Sequence, residues 1–412
     1  MAKKYKVEPL YIPHEAMRFS GFRAMLEVAQ QPGKSYMYGA LGMYMFSHAV
    51  WLAKEMQRGG FDRIVFIARD GYWVKRAYDV VAPALGVDVP SDYVRISRQA
   101  AFPLHFRTAD DLTGMSDWVD VTAHTPDTLN RLLAPDIRAE EMPSLMARYG
   151  VRPDERLTCG VPDGLLEAWR RAWDQDQADQ YREHARAYIA PKFTGKCATF
   201  DVGYNLRSEA VIRDLTGADV TAFITHTDSD LPDRRGVPYH TLYPVSPWVS
   251  WAVRERFLLE DAPLCTGYDA DGPVAEKTQE PKALPDQGTD QQQDLIPQTL
   301  ADAFVNDMIA AHGEHLSQLH FRPQDGCAPF EWFLHCSDRR TIRAFARTAF
   351  ENDFHAGAKG EDSLCLQWRL MQTDMLVARG VPAWRVRLKR AIIRLQEEPR
   401  SFWRKLNPFA SE

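Results

Sequence analysis

The clearest pattern along the chain is a long stretch apolar on nearly every face, followed by short apolar runs that each end in polar residues. Residues 35–58 carry aliphatic and aromatic side chains almost all round, which predicts a buried helix rather than a surface one, and Gly59 and Gly60 stop it. Arg63 to Ala68 is a short continuous apolar run after that stop. It predicts a strand buried on both faces, as in a parallel sheet. Asp70 and Gly71 close the run, and helical spacing resumes from Tyr72 to Ala84 through Val74, Ala77, Tyr78 and Val81. Further strands are predicted at Tyr93 to Ser97, Cys197 to Asp201 and Val220 to Thr225, with a helix over Leu206 to Leu215. Strands alternating with helices predict an α/β fold with a doubly wound parallel sheet. Such sheets bind ligands beyond the carboxyl ends of their strands. Asp70, Ser97 and Asp201 all fall at those ends.

The same pattern divides the chain. The α/β core is expected over 35–108 and 190–270, interrupted by a helical, cap-like insertion over 109–189 in which Leu166 to Tyr188 reads as one amphipathic helix. Residues 276–295 are polar, Pro-containing and Gln-rich, the composition of an exposed loop. Residues 297–412 return to helical patterns. The stretch 384–406 mixes Arg and Lys with Trp384, Leu388, Ile392, Leu395, Phe402 and Trp403. A basic amphipathic stretch of this kind either lies on an anionic membrane surface or packs on the protein with its charges in water.

Composition narrows the class. A chain of 412 residues buries a large core without disulfide staples, and a net charge of −6 argues against a nucleic-acid binder. The six cysteines are scattered without a CxxC pair, which reads as reduced thiols and no zinc cluster. The basic start lacks an apolar stretch behind it, so no signal peptide is expected. The longest apolar segment, Tyr36 to Ala53, is interrupted by Gly39, Gly42, Ser47 and His48, so no spanning helix is expected either. A cytoplasmic location follows, with membrane association through 384–406 as the alternative.

Acid, hydroxyl and acid at three strand tips suit phosphoryl transfer. That chemistry uses Mg²⁺ held by one or two carboxylates, donors for the phosphate oxygens, and cations to neutralise charge. Asp70 and Asp201 are the candidate metal ligands, and Asp70 is also the candidate catalytic group. Arg69, Gly71, Ser97 and Arg98 are the candidate phosphate-binding residues, with Lys192 or Lys196, just before the third strand, as a further cation. The plain alternatives are a turn and helix cap for Asp70 and Gly71, and salt bridges for Arg69, Arg98 and Arg207. His312, His315 and His320 read as a solvated helix face. The His226, Asp228 and Asp230 segment reads as a polar loop.

These residues carry a resemblance. The run Ile64 to Trp73 resembles the first motif of haloacid dehalogenase-like (HAD-like) proteins, and most closely a bacterial subgroup associated with polysaccharide biosynthesis. That subgroup reads Phe-Leu-Ala-Arg-Asp-Gly, then a strand ending Ser-Arg-Arg, then one ending Asp-x-Gly. The corresponding pieces are Phe66 to Gly71, Ile96 to Arg98 and Phe200 to Gly203. Tyr38 to Leu52, and more loosely Glu260 to Tyr268, extend the resemblance over residues 35–270. It implies a HAD-like Rossmannoid core, with Asp70 as acid/base, Ser97 as the phosphate-binding hydroxyl and Asp201 as a Mg²⁺ ligand. Active members of the wider superfamily carry Asp-x-Asp-Gly, in which the first Asp is the nucleophile. That position is Ala68 here, so the usual aspartyl-phosphate route is lost. Either Asp70 is itself the nucleophile, which puts Tyr72 at the acid/base position, or it activates water directly. The second Gly of the Asp-x-Gly-x-x-Gly segment is replaced near Leu206.

The reading that follows is a Mg²⁺-dependent phosphatase or phosphotransferase acting on a phosphorylated sugar or related anionic metabolite in surface-polysaccharide assembly, with glycan-assembly enzymes as possible partners. A non-catalytic binding or scaffolding module is the alternative, and a nucleotide-sugar-dependent transferase is a third.

Overall fold

A computed structural model describes residues 14–203, 205–227, 235–243, 251–260, 262–275, 296–345, 364–378 and 381–397. Five strands, β1 (Arg63–Ile67), β2 (Ser91–Val94), β3 (Lys196–Asp201), β4 (Asp219–Ile224) and β5 (Tyr239–Thr241), form one parallel sheet in the order β2-β1-β3-β4-β5. A separate antiparallel hairpin joins β6 (Cys265–Asp269) to β7 (Gly272–Ala275).

The helices up to the insertion are α1 (Ser20–Ala29), α2 (Tyr36–Gly59), α3 (Gly71–Ala84) and α4 (Arg98–Ala101). The insertion adds α5 (Pro126–Leu132), α6 (Met142–Arg148) and α7 (Asp163–Ala172). The core resumes with α8 (Gln175–Ile189), α9 (Arg207–Thr216) and α10 (Trp251–Arg256). The C-terminal region supplies α11 (Ile296–His312), α12 (Pro323–Cys336), α13 (Arg339–Phe345), α14 (Leu364–Ala378) and α15 (Ala383–Glu397).

Alternation along the strands sets the layers, because successive side chains point to opposite faces. Ile64 and Phe66 of β1 join a cluster with α1, α2, α3, α11 and α12, while Val65 and Ile67 join a second cluster with α8 and α9. The C-terminal helices therefore share the main hydrophobic core instead of forming a body of their own. Helix α2 is the centre of that core. Ser35 caps its first turn by accepting from the Tyr38 amide, and Gly60 ends it in the left-handed conformation, φ 60°.

The insertion has its own apolar cluster, running from Phe102 to Ala172. Helix α8, the last part of the 109–189 segment, packs instead on the sheet through Tyr181, Ala185 and Ile189. The single helix expected over Leu166 to Tyr188 is broken at Trp173 and Asp174. There the backbone pairs with a distant segment: Arg138 N donates to Ala172 O at 2.8 Å and Asp174 N to Asp136 O at 2.9 Å. Asp174 then caps α8 by accepting from Gln177 N.

The second strand also differs from expectation, ending at Val94 instead of Ser97. Two tyrosine hydroxyls take the polar groups of Arg95: its N–H donates to Tyr188 Oη at 3.0 Å, and its carbonyl accepts from Tyr268 Oη at 3.0 Å. The expected 276–295 loop, Asp228, Asp230 and residues 398–406 of the tail lie outside the described residues. No helix among the described residues is long and apolar enough to cross a membrane. Cys159, Cys197, Cys265, Cys327 and Cys336 are free thiols.

Candidate functional site at the switch point of the sheet

The strand order places a crevice between β1 and β3. The chain leaves β1 to build β2 on one side, then crosses to build β3 on the other. Connections depart to opposite faces at such a point, and ligands of open α/β sheets bind there. Asp70 follows β1 and Asp201 ends β3, and the two strands run in register through Phe66 and Phe200. The two sequence-predicted acids thus stand side by side at the carboxyl edge.

Local geometry frees Asp70 for this role. It sits at the N-cap position of α3, but its side chain makes no capping hydrogen bond. The plain helix-cap reading therefore does not describe it. Gly71 lies against the sheet: a Cβ there would stand 3.3 Å from Phe66 Cβ and 3.5 Å from Phe200 O. Asp201 accepts from the Gly203 amide at 3.0 Å. A Cβ on Gly203 would come within 2.9 Å of the Asp201 carboxylate, so glycine is what lets the loop fold over the acid. At Leu206 the backbone adopts the left-handed conformation (φ 53°) that glycine usually supplies. The leucine is held there by packing on Ala222, Ile224 and Val237.

Four acids share the site. Burial, then the charges of Asp201 and Glu255, push the Asp70 carboxyl well above the usual carboxylate range, while Arg98 pulls against them. Burial also raises Asp201, opposed by the Gly203 and Val202 amides and by Arg98. Glu209, in the first turn of α9, is 1% exposed and neither carboxylate oxygen has a hydrogen-bond partner. Burial and Asp201 push its carboxyl up to about 8. Glu255 comes from α10 and lies 3.9 Å from Arg98.

Arginines stand among and beside these acids, Arg98 near enough to act on both Asp70 and Asp201. Arg207 begins α9; burial, Arg98 and Arg235 lower its guanidinium to about 10, and its Nε is buried without a partner. Arg235 lies over the Trp118 ring at 3.9 Å, and His105 stacks on the same tryptophan at 3.5 Å. His105 is held well below its usual range by burial and by Arg235, Arg207 and Arg182. The insertion therefore contributes an aromatic edge through Trp118, on which Arg235, from the segment before β5, supplies the cation. Such an arrangement favours an anion lodged between the arginines, since guanidiniums packed together repel one another.

The remaining sequence-predicted residues divide. Arg69 is at the site edge, where its Nη1 donates to Ala262 O at 3.3 Å and its carbonyl accepts from Glu260 N at 3.1 Å. Trp73 Nε1 donates to Leu259 O, and Tyr93 Oη donates to Glu260, so the segment after α10 is tied across the tips of β1 and β2. Ser97 has a different job from the one expected. Its hydroxyl donates to Cys265 O at 2.5 Å and accepts from Ala100 N at 3.0 Å. Its one proton is committed to the β6 hairpin, so it has none to offer a phosphate.

Lys192 and Lys196 are not at the site. Lys196 opens β3, at the edge of the sheet opposite the strand tips, and its Nζ donates to Gly59 O at 2.8 Å. Lys192 pairs with Asp92 of β2 at 3.1 Å. Glu209, Glu255 and Arg235 were not picked out from the sequence. Nothing in their local pattern marks them, because each reaches the site through the packing of its element.

The donors present bear on a metal. Among the described residues no group of three or more His, Cys, Asp or Glu is placed to hold an ion. Asp70 and Asp201 offer two carboxylates at one tip. That set fits a hard cation such as Mg²⁺, which keeps water and substrate phosphate as its other ligands, and it does not fit zinc, which takes three or four protein ligands. No protein-family model matches the chain, and no curated protein matches it.

Proposed function

We propose that the crevice between β1 and β3 is a HAD-like phosphoryl-transfer site acting on a phosphorylated sugar or a related anionic metabolite, with a role in surface-polysaccharide assembly. The observation that carries this reading is the pairing of Asp70 and Asp201 on adjacent strand tips at the switch point, with Arg98 beside them and Arg207 next to Arg98. The substrate class and the polysaccharide role rest on the resemblance of the Asp70 motif.

Asp201 would hold Mg²⁺ through its carboxylate, which when bound would draw charge from the phosphoryl oxygens, and Asp70 beside it would serve as the acid/base. Arg98 and Arg207 bind and orient the anionic group. Burial, Asp201 and Glu255 all oppose ionisation of Asp70, which favours its protonated form. Asp70 donates that proton to the ester oxygen as the P–O bond breaks, and takes one back from the water that attacks phosphorus. A phosphate monoester and water thus yield an alcohol and inorganic phosphate. Ala68 occupies the position of the missing carboxylate, so no covalent phospho-enzyme forms. Purified protein with Mg²⁺ should release phosphate from at least one member of a sugar-phosphate panel, and Asp70→Asn should abolish release. Equal release by both proteins overturns the assignment.

Ala68 also supports a second reading, a module that binds such a metabolite without converting it. It predicts saturable binding of a sugar phosphate, lost in the Arg207→Ala variant, with no phosphate released.

A further inference from the structure

Helix α15 has two opposed faces. On one, Val386 is 4% and Ile393 2% exposed, and Arg390 Nε donates to Thr373 Oγ1 of α14 at 2.8 Å. This face holds the helix to the protein. On the other, Trp384, Leu388, Ile392 and Leu395 are exposed to 62%, 56%, 45% and 37%. They are four of the six large apolar side chains exposed among the described residues, so the exposure is concentrated on this one helix. At 3.6 residues per turn the four fall within an arc of about 80°, a single stripe along the helix.

Cations border the stripe on both sides. Helical spacing places Arg385 and Lys389 along one edge and Arg387 and Arg394 along the other, and all four are exposed. Residues 383–397 hold five Lys or Arg against Glu397 alone, within a chain of net charge −6. Positive charge is thus gathered where apolar surface is left open.

We propose that α15 lies on an anionic lipid surface. Trp384, Leu388, Ile392 and Leu395 enter the boundary between headgroups and acyl chains, and the four flanking cations extend to the lipid phosphates. A helix of 15 residues is about 22 Å long, shorter than the roughly 30 Å hydrocarbon core, so it lies in the interface without crossing. A second copy of the chain is a poorer occupant, because two such stripes face to face would set cations against cations. A partner protein would need acids along both edges of an apolar ridge, whereas a bilayer presents that arrangement everywhere.

Vesicle flotation of the full chain tests this. The protein should float with phosphatidylcholine vesicles containing phosphatidylglycerol and stay at the bottom with phosphatidylcholine alone. Raised salt should weaken binding, since the attraction is screened beyond a Debye length. Replacing Arg387 and Arg394 by Gln should weaken binding about 30-fold, at the usual contribution of each charge near such a surface. Trp384→Ser with Leu388→Ser should abolish flotation and leave the melting temperature unchanged, because both side chains are exposed. Equal binding to both vesicle types, no binding to either, or a concentration-dependent dimer that the serine variant dissolves would each overturn the proposal.

Discussion

Two buried polar clusters meet at α10, and adjacent residues of that helix serve them. Arg254 points into the protein, where it is 0% exposed and its Nε donates to Glu331 of α12 at 2.6 Å. Around that pair, His48 is satisfied on both nitrogens, by Tyr44 O at 2.9 Å and Thr225 Oγ1 at 3.1 Å. Glu255 faces the other way, toward Asp70 and Arg98. There the acids crowd one another and Glu209 has no partner at all. One cluster pairs Arg254 with Glu331 and His48 with Thr225, and so ties α10 to α12 and α2 to the end of β4. The other leaves buried polar groups unsatisfied at the carboxyl edge of the sheet, the edge at which open α/β sheets bind ligands. Unsatisfied buried carboxylates cost stability, and that cost is expected at a functional site.

The largest effect should come from breaking the satisfied pair. Glu331→Gln leaves Arg254 charged and buried without its counter-ion, which typically costs about 3–5 kcal/mol. Chemical denaturation should show it as a large drop in midpoint. Arg254→Met combined with Glu331→Leu should recover most of the loss, since apolar replacement of a whole buried pair is often neutral or better. If Glu331→Gln is harmless, the contrast between the clusters fails.

The two clusters should also respond to pH with opposite sign. Burial lowers His48 to about 4 and His226 to about 3, below their ordinary value. Their stabilisation is complete above about 6.5, the unfolded value, and is lost as pH falls, by up to about 1.4 kcal/mol per pH unit for each histidine. Glu209 is raised to about 8. Its penalty is absent below the ordinary carboxylate range, grows as pH rises to about 8, and is constant above. Denaturation series between pH 4 and 9 should show His48→Asn weakening the loss of stability as pH falls below about 6.5. Glu209→Gln should remove a decline that runs from the ordinary carboxylate range up to about pH 8, so that above about 6.5 only the glutamine variant changes the slope.

At pH 8, Glu209→Gln should stabilise the fold by about 1 kcal/mol, as replacements at strained functional sites often do. Turnover or ligand affinity should fall in the same variant. A variant that gains stability and keeps full function would make Glu209 a structural oddity instead of part of the site.

How far such contrasts were visible in the sequence depends on what holds each residue in place. Long apolar runs made α2, β1, α3, β3 and β4 legible to within a residue or two, and with them Asp70 and Asp201 at the strand ends. Strand β5 has only three residues and carries no pattern of its own. The break between α7 and α8 depends on pairing with residues 136–138, which no local window contains. Glu209 and Glu255 matter only because α9 and α10 aim them at the same crevice. The lysines are a different case. Lys196 begins its strand, and in a parallel sheet the start and end of a strand lie at opposite edges, so chain direction alone already removes it from the tips.

Ser97 gives the smallest and most discriminating test. Its position at the end of the segment that follows β2 suits a phosphate-binding hydroxyl, whereas its hydrogen bonds make it a helix cap and an anchor for the β6 hairpin. Ser97→Ala removes both bonds and should cost about 1 kcal/mol, the usual loss for a capping serine. If its role is structural, KM for a sugar phosphate, or Kd for a bound one, should stay within about twofold of the parent, since no contact to the ligand is lost. A tenfold rise in KM or Kd with an unchanged denaturation midpoint would mean that the hydroxyl turns from Cys265 to the phosphate when ligand arrives. The acid cluster would then gain a donor at the third strand tip, and Ser97 would belong to the strained cluster instead of to the framework around it.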